Sequence, residues 1–145
     1  MIRVFMVDDH PLMRDGLRAL LGRADDIEVI GEAADGASAV GSIVELKPDV
    51  VLMDIALPGV DGMRSTEKIL SLDEQIRVLF LSAHYDRQLF QRAIEAGGHG
   101  YIIKMAGPDE LLKAVRAVYR GEHYFSPELE ALFANELQSE ANAPS

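Results

Sequence analysis

An α/β fold built on an open, doubly wound, five-stranded parallel sheet is what the sequence predicts, and three observations predict it. Short apolar runs alternate with stretches of helical period along most of the chain, the mark of repeated βα units. The central run, Val50-Val51-Leu52-Met53, is apolar at every position, which demands helices on both faces of the sheet. The length of 145 residues suits one domain that buries roughly 70% of its unfolded surface.

The elements follow in order. Ile2–Val7 reads as the first strand, closed by Asp8-Asp9. Pro11–Arg23 sets Met13, Leu17, Leu20 and Leu21 on one helical face, and Pro11 fits a first-turn position, where its missing N–H costs nothing. Ile27–Ala33 is the second strand, and Ser38–Lys47 the second helix, with Val40, Ile43 and Val44 inward. Val50–Asp54 is the third strand, followed by a helix over Met63–Leu72. Ile76–Leu81 is the fourth, and the helix Asp86–Ala96 after it is stopped by Gly97-Gly98. Gly100–Ile103 is the fifth, and Pro108–Arg120 carries a broad stripe of Leu111, Leu112, Val115, Val118 and Tyr119. Ser126-Pro127 is an N-cap and first-turn pair opening a short sixth helix with Leu129, Leu132, Phe133 and Leu137 at helical spacing. The predicted division is a domain over 1–122, a linker helix over 123–138 and a frayed polar tail over 139–145.

Composition narrows the function. With 24 acidic and 14 basic side chains the formal charge is −10, wrong for a chain that must neutralise nucleic-acid phosphates. There is no cysteine, so disulfides, thiolate zinc sites and cysteine nucleophiles are excluded and a metal must be held by oxygen or imidazole. The apolar start Met1–Val7 is interrupted at once by Asp8, Asp9 and His10, too soon for a signal peptide or a membrane span, so a cytoplasmic location is expected. Glu128, Glu130, Glu136 and Glu140 follow the last basic residue, Arg120, and carry four of the ten net charges.

In a doubly wound sheet the ligand site lies beyond the carboxyl ends of the strands. Those ends bear Asp8-Asp9, Asp54, Ser82 and Lys104. Each alone reads as a turn, a cap or a surface residue; together they converge on one crevice. Three carboxylates brought close repel until one protonates or a hard cation neutralises them. Mg²⁺ suits such oxygen donors and keeps waters that a phosphate can displace, with Mn²⁺ as a substitute. Lys104 adds a point charge and Ser82 a donor for phosphoryl oxygens. Such a set suits phosphoryl transfer, with central Asp54 as the candidate nucleophile that forms an acyl phosphate.

Val7-Asp8-Asp9-His10, Met53-Asp54 through Pro58-Gly59-Val60-Asp61-Gly62, Leu81-Ser82-Ala83 and Gly100-Tyr101-Ile102-Ile103-Lys104 resemble, in order and spacing, the receiver domain of bacterial two-component response regulators. His10-Pro11, Glu95-Ala96-Gly97 and Tyr119-Arg120-Gly121-Glu122 leading to Phe125-Ser126-Pro127 are similar to the NarL/FixJ type. The resemblance implies a flavodoxin-like (βα)5 fold with strand order 2-1-3-4-5. It implies that Asp54 accepts a phosphoryl group from a sensor histidine kinase. Asp9, Asp54 and the backbone carbonyl of Ala56 would ligate Mg²⁺, and Asp8 would act through a bound water. Lys104 would pair with the phosphoryl group, Ser82 would hydrogen-bond to it, and Tyr101 would turn inward when Ser82 moves. Ala56 and His84, flanking the phosphoryl group, would tune its hydrolysis.

In that type a linker helix leads to a LuxR-type helix-turn-helix, so the expectation is a receiver whose DNA-binding half is absent from this chain. DNA would be contacted only through that output domain. The first helix and the edge of Pro108–Arg120 are candidates for homodimer contact on phosphorylation. The chain is expected to be a signalling phosphoacceptor, not an enzyme. The alternatives are a stand-alone receiver in a phosphorelay or as a protein-binding switch, and an aspartate-nucleophile phosphatase. The phosphatase would show Asp-x-Asp after its first strand, where this chain has an adjacent pair. No Gly-x-Gly-x-x-Gly follows that strand, which disfavours a dinucleotide enzyme. Gly98 stands where family members more often have Ala. His10, His84, His99 and His123 show no metal-ligand spacing and read as surface or packing residues.

Overall fold

Alternation within each strand decides how the layers form. The computed structural model describes residues 1–56, 62–83, 86–104, 107–126, 129 and 131. Strands β1 (Ile2–Val7), β2 (Ile27–Ala33), β3 (Val50–Asp54), β4 (Arg77–Ser82), β5 (Gly100–Ile103) and β6 (Tyr124–Phe125) alternate with helices α1 (Pro11–Leu21), α2 (Gly36–Leu46), α3 (Gly62–Leu72), α4 (Arg87–Glu95) and α5 (Pro108–Tyr119). Phe5, Val7, Val51, Met53, Phe80 and Tyr101 point to one face, where Ile43, Ile69, Phe90 and Ala93 of α2, α3 and α4 cover them. Val4, Met6, Leu52, Leu79, Leu81 and Ile102 point to the other, against Leu17 and Leu21 of α1 and Leu111, Val115 and Val118 of α5. Period-two alternation with apolar residues in both phases gives a sheet dry on both sides.

The strand order is β2-β1-β3-β4-β5-β6, all parallel. The expected order of the first five holds, but the sheet has six strands, not five. After α5 the chain turns at Gly121, whose φ of +89° is a region that glycine enters freely. Tyr124 and Phe125 then pair with Gly100 and Tyr101. Tyr124 N donates to His99 O at 3.1 Å and Ser126 N to Tyr101 O at 3.2 Å. Two residues carry no readable periodicity, so the run escaped detection. Of the linker helix expected over 123–138, Tyr124 and Phe125 are this strand, Leu129 and Ala131 are helical, and the positions 127, 128, 130 and 132–138 lie outside the described residues, as does the tail.

The helices begin where caps allow. α2 starts two residues before the predicted Ser38, because Asp35 Oδ1 accepts from Ser38 N at 2.8 Å. Asp86 does the same for α4, accepting from Leu89 N at 3.1 Å. α1 and α5 both open on proline. No helix among the described residues is long and apolar enough to cross a membrane.

Candidate functional site

Register brings the strand ends into line. Asp54 pairs with Leu81, and Ser82 with Ile103, so β3, β4 and β5 stop within a residue of each other. Asp8 N bonds to Ala33 O at 3.1 Å, Ile55 N to Leu81 O at 3.0 Å, and Lys104 N to Ser82 O at 2.6 Å. These bonds continue the ladder past the last formal strand residue and fix where each side chain leaves the backbone. On the α1 side, Arg14 donates to the carbonyl of Asp8 at 2.6 Å, which ties the first helix to the end of β1.

Asp8 and Asp54 are both 1% exposed, and one local device orients both. Asp8 Oδ1 accepts from the amide of His10, two residues on, at 2.9 Å, and Asp54 Oδ1 accepts from the amide of Ala56, also two on, at 3.1 Å. Aspartate forms such turns readily because its carboxylate reaches its own backbone. Each turn leaves Oδ2 aimed inward, and Lys104 Nζ stands 3.1 Å from both Oδ2 atoms.

The electrostatics follow from that geometry. Burial, with Asp8 as a nearby like charge, pushes the Asp54 carboxyl above its usual range although the Ala56 amide and Lys104 oppose the shift. Burial also acts to raise Asp8, but the amide of His10 and the Lys104 ammonium outweigh it and hold this group below its usual value. Desolvation works against the Lys104 charge, and its hydrogen bond to Asp54 and its close ion pair with Asp8 overcome that and raise it. The pocket therefore holds one firmly charged cation between two acids of unequal strength.

A cation fits the remaining donors. One ligand atom from each of Asp8, Asp9, His10 and Asp54 lies within 4.8 Å of all the others. Asp8 Oδ2 and Asp9 Oδ1 are buried with no well-aligned hydrogen-bond donor; the contact of Asp8 Oδ2 with Lys104 is one of charge. Buried carboxylate oxygens call for positive charge, and the three carboxylates of this group suit a hard divalent ion such as Mg²⁺.

The structure thus brings together Asp8, Asp9, Asp54 and Lys104, with Ser82 on the strand between Asp54 and Lys104 and 2% exposed. Ala56 is at the rim, exposed, its amide on Asp54. Tyr101 is on the other side of β5 from Ile102, fully buried, with its ring edge-on to Phe90 at 5.5 Å. The ring expected to turn inward is already inside. His84 lies outside the described residues. His10, read from sequence as a surface residue, is exposed, with Nδ1 3.0 Å from Asp8 Oδ1 and from Asp9 Oδ1. His99 is a packing residue as expected: its Nδ1 accepts from Val78 N at 3.0 Å, and burial, with Arg77 and His123 nearby, lowers its pKa to about 4.

A doubly wound sheet with acids and a lysine converging on its carboxyl edge is the receiver arrangement. The chain belongs to the response regulator receiver domain family, which matches residues 4–116. Over 129 residues it is 40% identical to the response regulator GacA of Pseudomonas viridiflava, a match covering 89% of this chain and 60% of that relative's length. A crystal structure of a LuxR-family two-component response regulator from Aurantimonas sp. superposes with a TM-score of 0.88 at 37% identity, over 92% of this chain and 96% of the other. The signal receiver domain assigned to NarL of Mycobacterium tuberculosis gives 0.80 at 36% identity, over 83% and 98%. Its neighbours are thus regulators of the LuxR and NarL families, as the sequence motifs implied.

Proposed function

We propose that Asp54 is the phosphoacceptor of a two-component pathway, taking its phosphoryl group in the cytoplasm from a phosphohistidine of a sensor histidine kinase. A carboxylate oxygen of Asp54 attacks phosphorus and the P–N bond breaks. The electron pair of that bond stays with the imidazole nitrogen, which takes up a proton. The observation that carries this reading is Lys104 Nζ at 3.1 Å from both Asp54 and Asp8: a fixed positive charge beside the nucleophile, placed where negative charge spreads over the transferring group. A Mg²⁺ ion held by Asp9, Asp54 and the Ala56 carbonyl, with Asp8 acting through a bound water, would neutralise phosphoryl oxygens. Ser82 donates to one of those oxygens, and Ala56 and His84 govern how water reaches the adduct.

The chain acts as a switch and not as an enzyme. Ser82 and Tyr101 sit on adjacent strands and couple the adduct to the α4–β5–α5 side, where the conformational shift is read. In a longer protein of the kind it matches, that shift controls dimer formation and DNA binding by an output domain. Mass spectrometry after incubation with a small acyl-phosphate donor and Mg²⁺ tests the proposal. A single phosphoryl adduct, absent from Asp54→Asn, supports it; an unmodified wild type, or steady turnover of generic phosphate esters, refutes it.

A further inference from the structure

We propose that Ser126 is a positioning residue for the phosphoacceptor site, and that β6 together with it forms a strap whose fastening and the loading of Asp54 stabilise each other. The inference rests on the phosphoacceptor role proposed above and goes beyond it, from the chemistry at Asp54 to the stretch of the same chain that senses it.

A substituted rung makes the strap. Tyr124 N donates to His99 O at 3.1 Å and Ser126 N to Tyr101 O at 3.2 Å. In a parallel ladder the next rung would run from Ile103 N to the carbonyl of Ser126. That carbonyl instead accepts from Leu129 N at 2.8 Å. The Ser126 hydroxyl takes its place and accepts from Ile103 N at 3.3 Å. Ser126 is 1% exposed, so little water competes with its hydroxyl for this rung.

The end of β5 depends on that rung. Ile103 is followed directly by Lys104, whose own amide donates the other way, to Ser82 O at 2.6 Å. Two consecutive amides thus fix the strand end, one against β4 and one against the strap. The side chain that leaves there is Lys104, with Nζ 3.1 Å from Asp54 Oδ2. A charge already held in place binds a phosphoryl group more tightly than one that must first be ordered.

Side chains key the strap into both layers. Tyr124 packs against the core on the α1 and α5 side, and Phe125 and Leu129 against the core on the other. Phe125 meets Phe90 of α4 edge-on at 5.3 Å, and Phe90 meets Tyr101 of β5 in the same way at 5.5 Å. In a close-packed interior a shift of the Tyr101 ring carries through Phe90 to the strap.

Coupling follows, and it is reciprocal. A fastened strap holds Lys104 ready for the phosphoryl group. A phosphoryl group that engages Lys104 holds the end of β5, and with it the rung to Ser126. Loading Asp54 thereby fastens the chain beyond Phe125, and emptying it loosens that stretch.

The test uses the 145-residue chain in MgCl₂ with beryllium fluoride, a phosphoryl mimic that caps an aspartate carboxylate. Amide hydrogen exchange of the wild type is followed by NMR with and without the mimic. Exchange at Tyr124 and Ser126 is expected to slow roughly fivefold or more, while amides of the opposite edge strand, β2, keep their rates. Calorimetry should show affinity for the mimic lowered by a similar factor in Ser126→Ala and retained in Ser126→Thr, which keeps the acceptor. Four results overturn the inference: unaltered exchange at Tyr124 and Ser126, equal slowing at both sheet edges, wild-type affinity in Ser126→Ala, or equal loss in both variants. Each leaves the phosphoacceptor reading standing, because the wild type still binds the mimic. A wild type that binds none sinks that reading, and the inference with it.

Discussion

Lys104 Nζ donates to Asp54 Oδ2 at 3.1 Å across an intervening strand: the ends of β3 and β5 are tied together over the end of β4. The same ammonium contacts Asp8, the residue that follows β1, so one side chain braces the ends of three strands at the carboxyl edge.

Lys104→Met removes the only protein cation found between Asp8 and Asp54 among the described residues. Taking one partner from a buried charge pair costs about 3 kcal/mol or more. Urea unfolding in EDTA should show a loss of that order, and millimolar Mg²⁺ should restore most of it. A deficit that Mg²⁺ leaves unaltered would show that the cation and Lys104 do not share these carboxylates.

Asp54→Asn should behave in the opposite sense. A carboxyl raised by burial and by Asp8 binds its proton more tightly folded than unfolded, so its ionised form destabilises the native state at neutral pH. Without divalent cations the variant is expected to outlast wild type in urea at pH 7. The gain should close as the pH falls through the folded-state pKa of Asp54, where the wild-type group becomes neutral as well. A wild type that is the more stable at pH 7 refutes this.

His99 gives a second pH signature. With a folded pKa of about 4 against an ordinary value of 6.5, protons prefer the unfolded chain, so stability is full above pH 6.5 and falls on acidification until about pH 4. The difference is worth at most about 3 kcal/mol. His99→Gln, which keeps an acceptor for the Val78 amide, should flatten that part of the profile relative to wild type. Identical profiles would contradict it.

Gly98→Ala should destabilise. A Cβ at Gly98 would lie 2.6 Å from the Phe80 ring and 2.9 Å from the Ala93 carbonyl. Such overpacking costs roughly 1–3 kcal/mol. Trimming the ring by Phe80→Leu should reduce the effect of the second substitution, a coupling that a double-mutant cycle on unfolding free energies would measure. Strict additivity would mean that the carbonyl alone sets the penalty.

What the sequence made legible was whatever depends on local pattern. Ile2–Val7, Ile27–Ala33, Val50–Asp54 and Gly100–Ile103 match the observed strands residue for residue, because apolar residues recur through each run and charged or turn-forming residues bound it. Asp8, Asp9, Asp54 and Lys104 converge because parallel topology places all strand ends on one edge. What stayed hidden depends on contacts between distant residues. β6 exists through the pairing of Tyr124 and Phe125 with residues 24 positions earlier, and nothing in those two residues announces it.

The sixth strand also bears on how the molecule survives at high local concentration. An unpaired strand edge is a template for another chain, and a longer β5 edge would be one. β6 covers that edge and is itself only two residues long. At the far edge, β2 exposes Glu28 and Glu32, and its register against β1 shifts between Val4 and Phe5. Both flanks are thereby poor seeds for edge-to-edge aggregation.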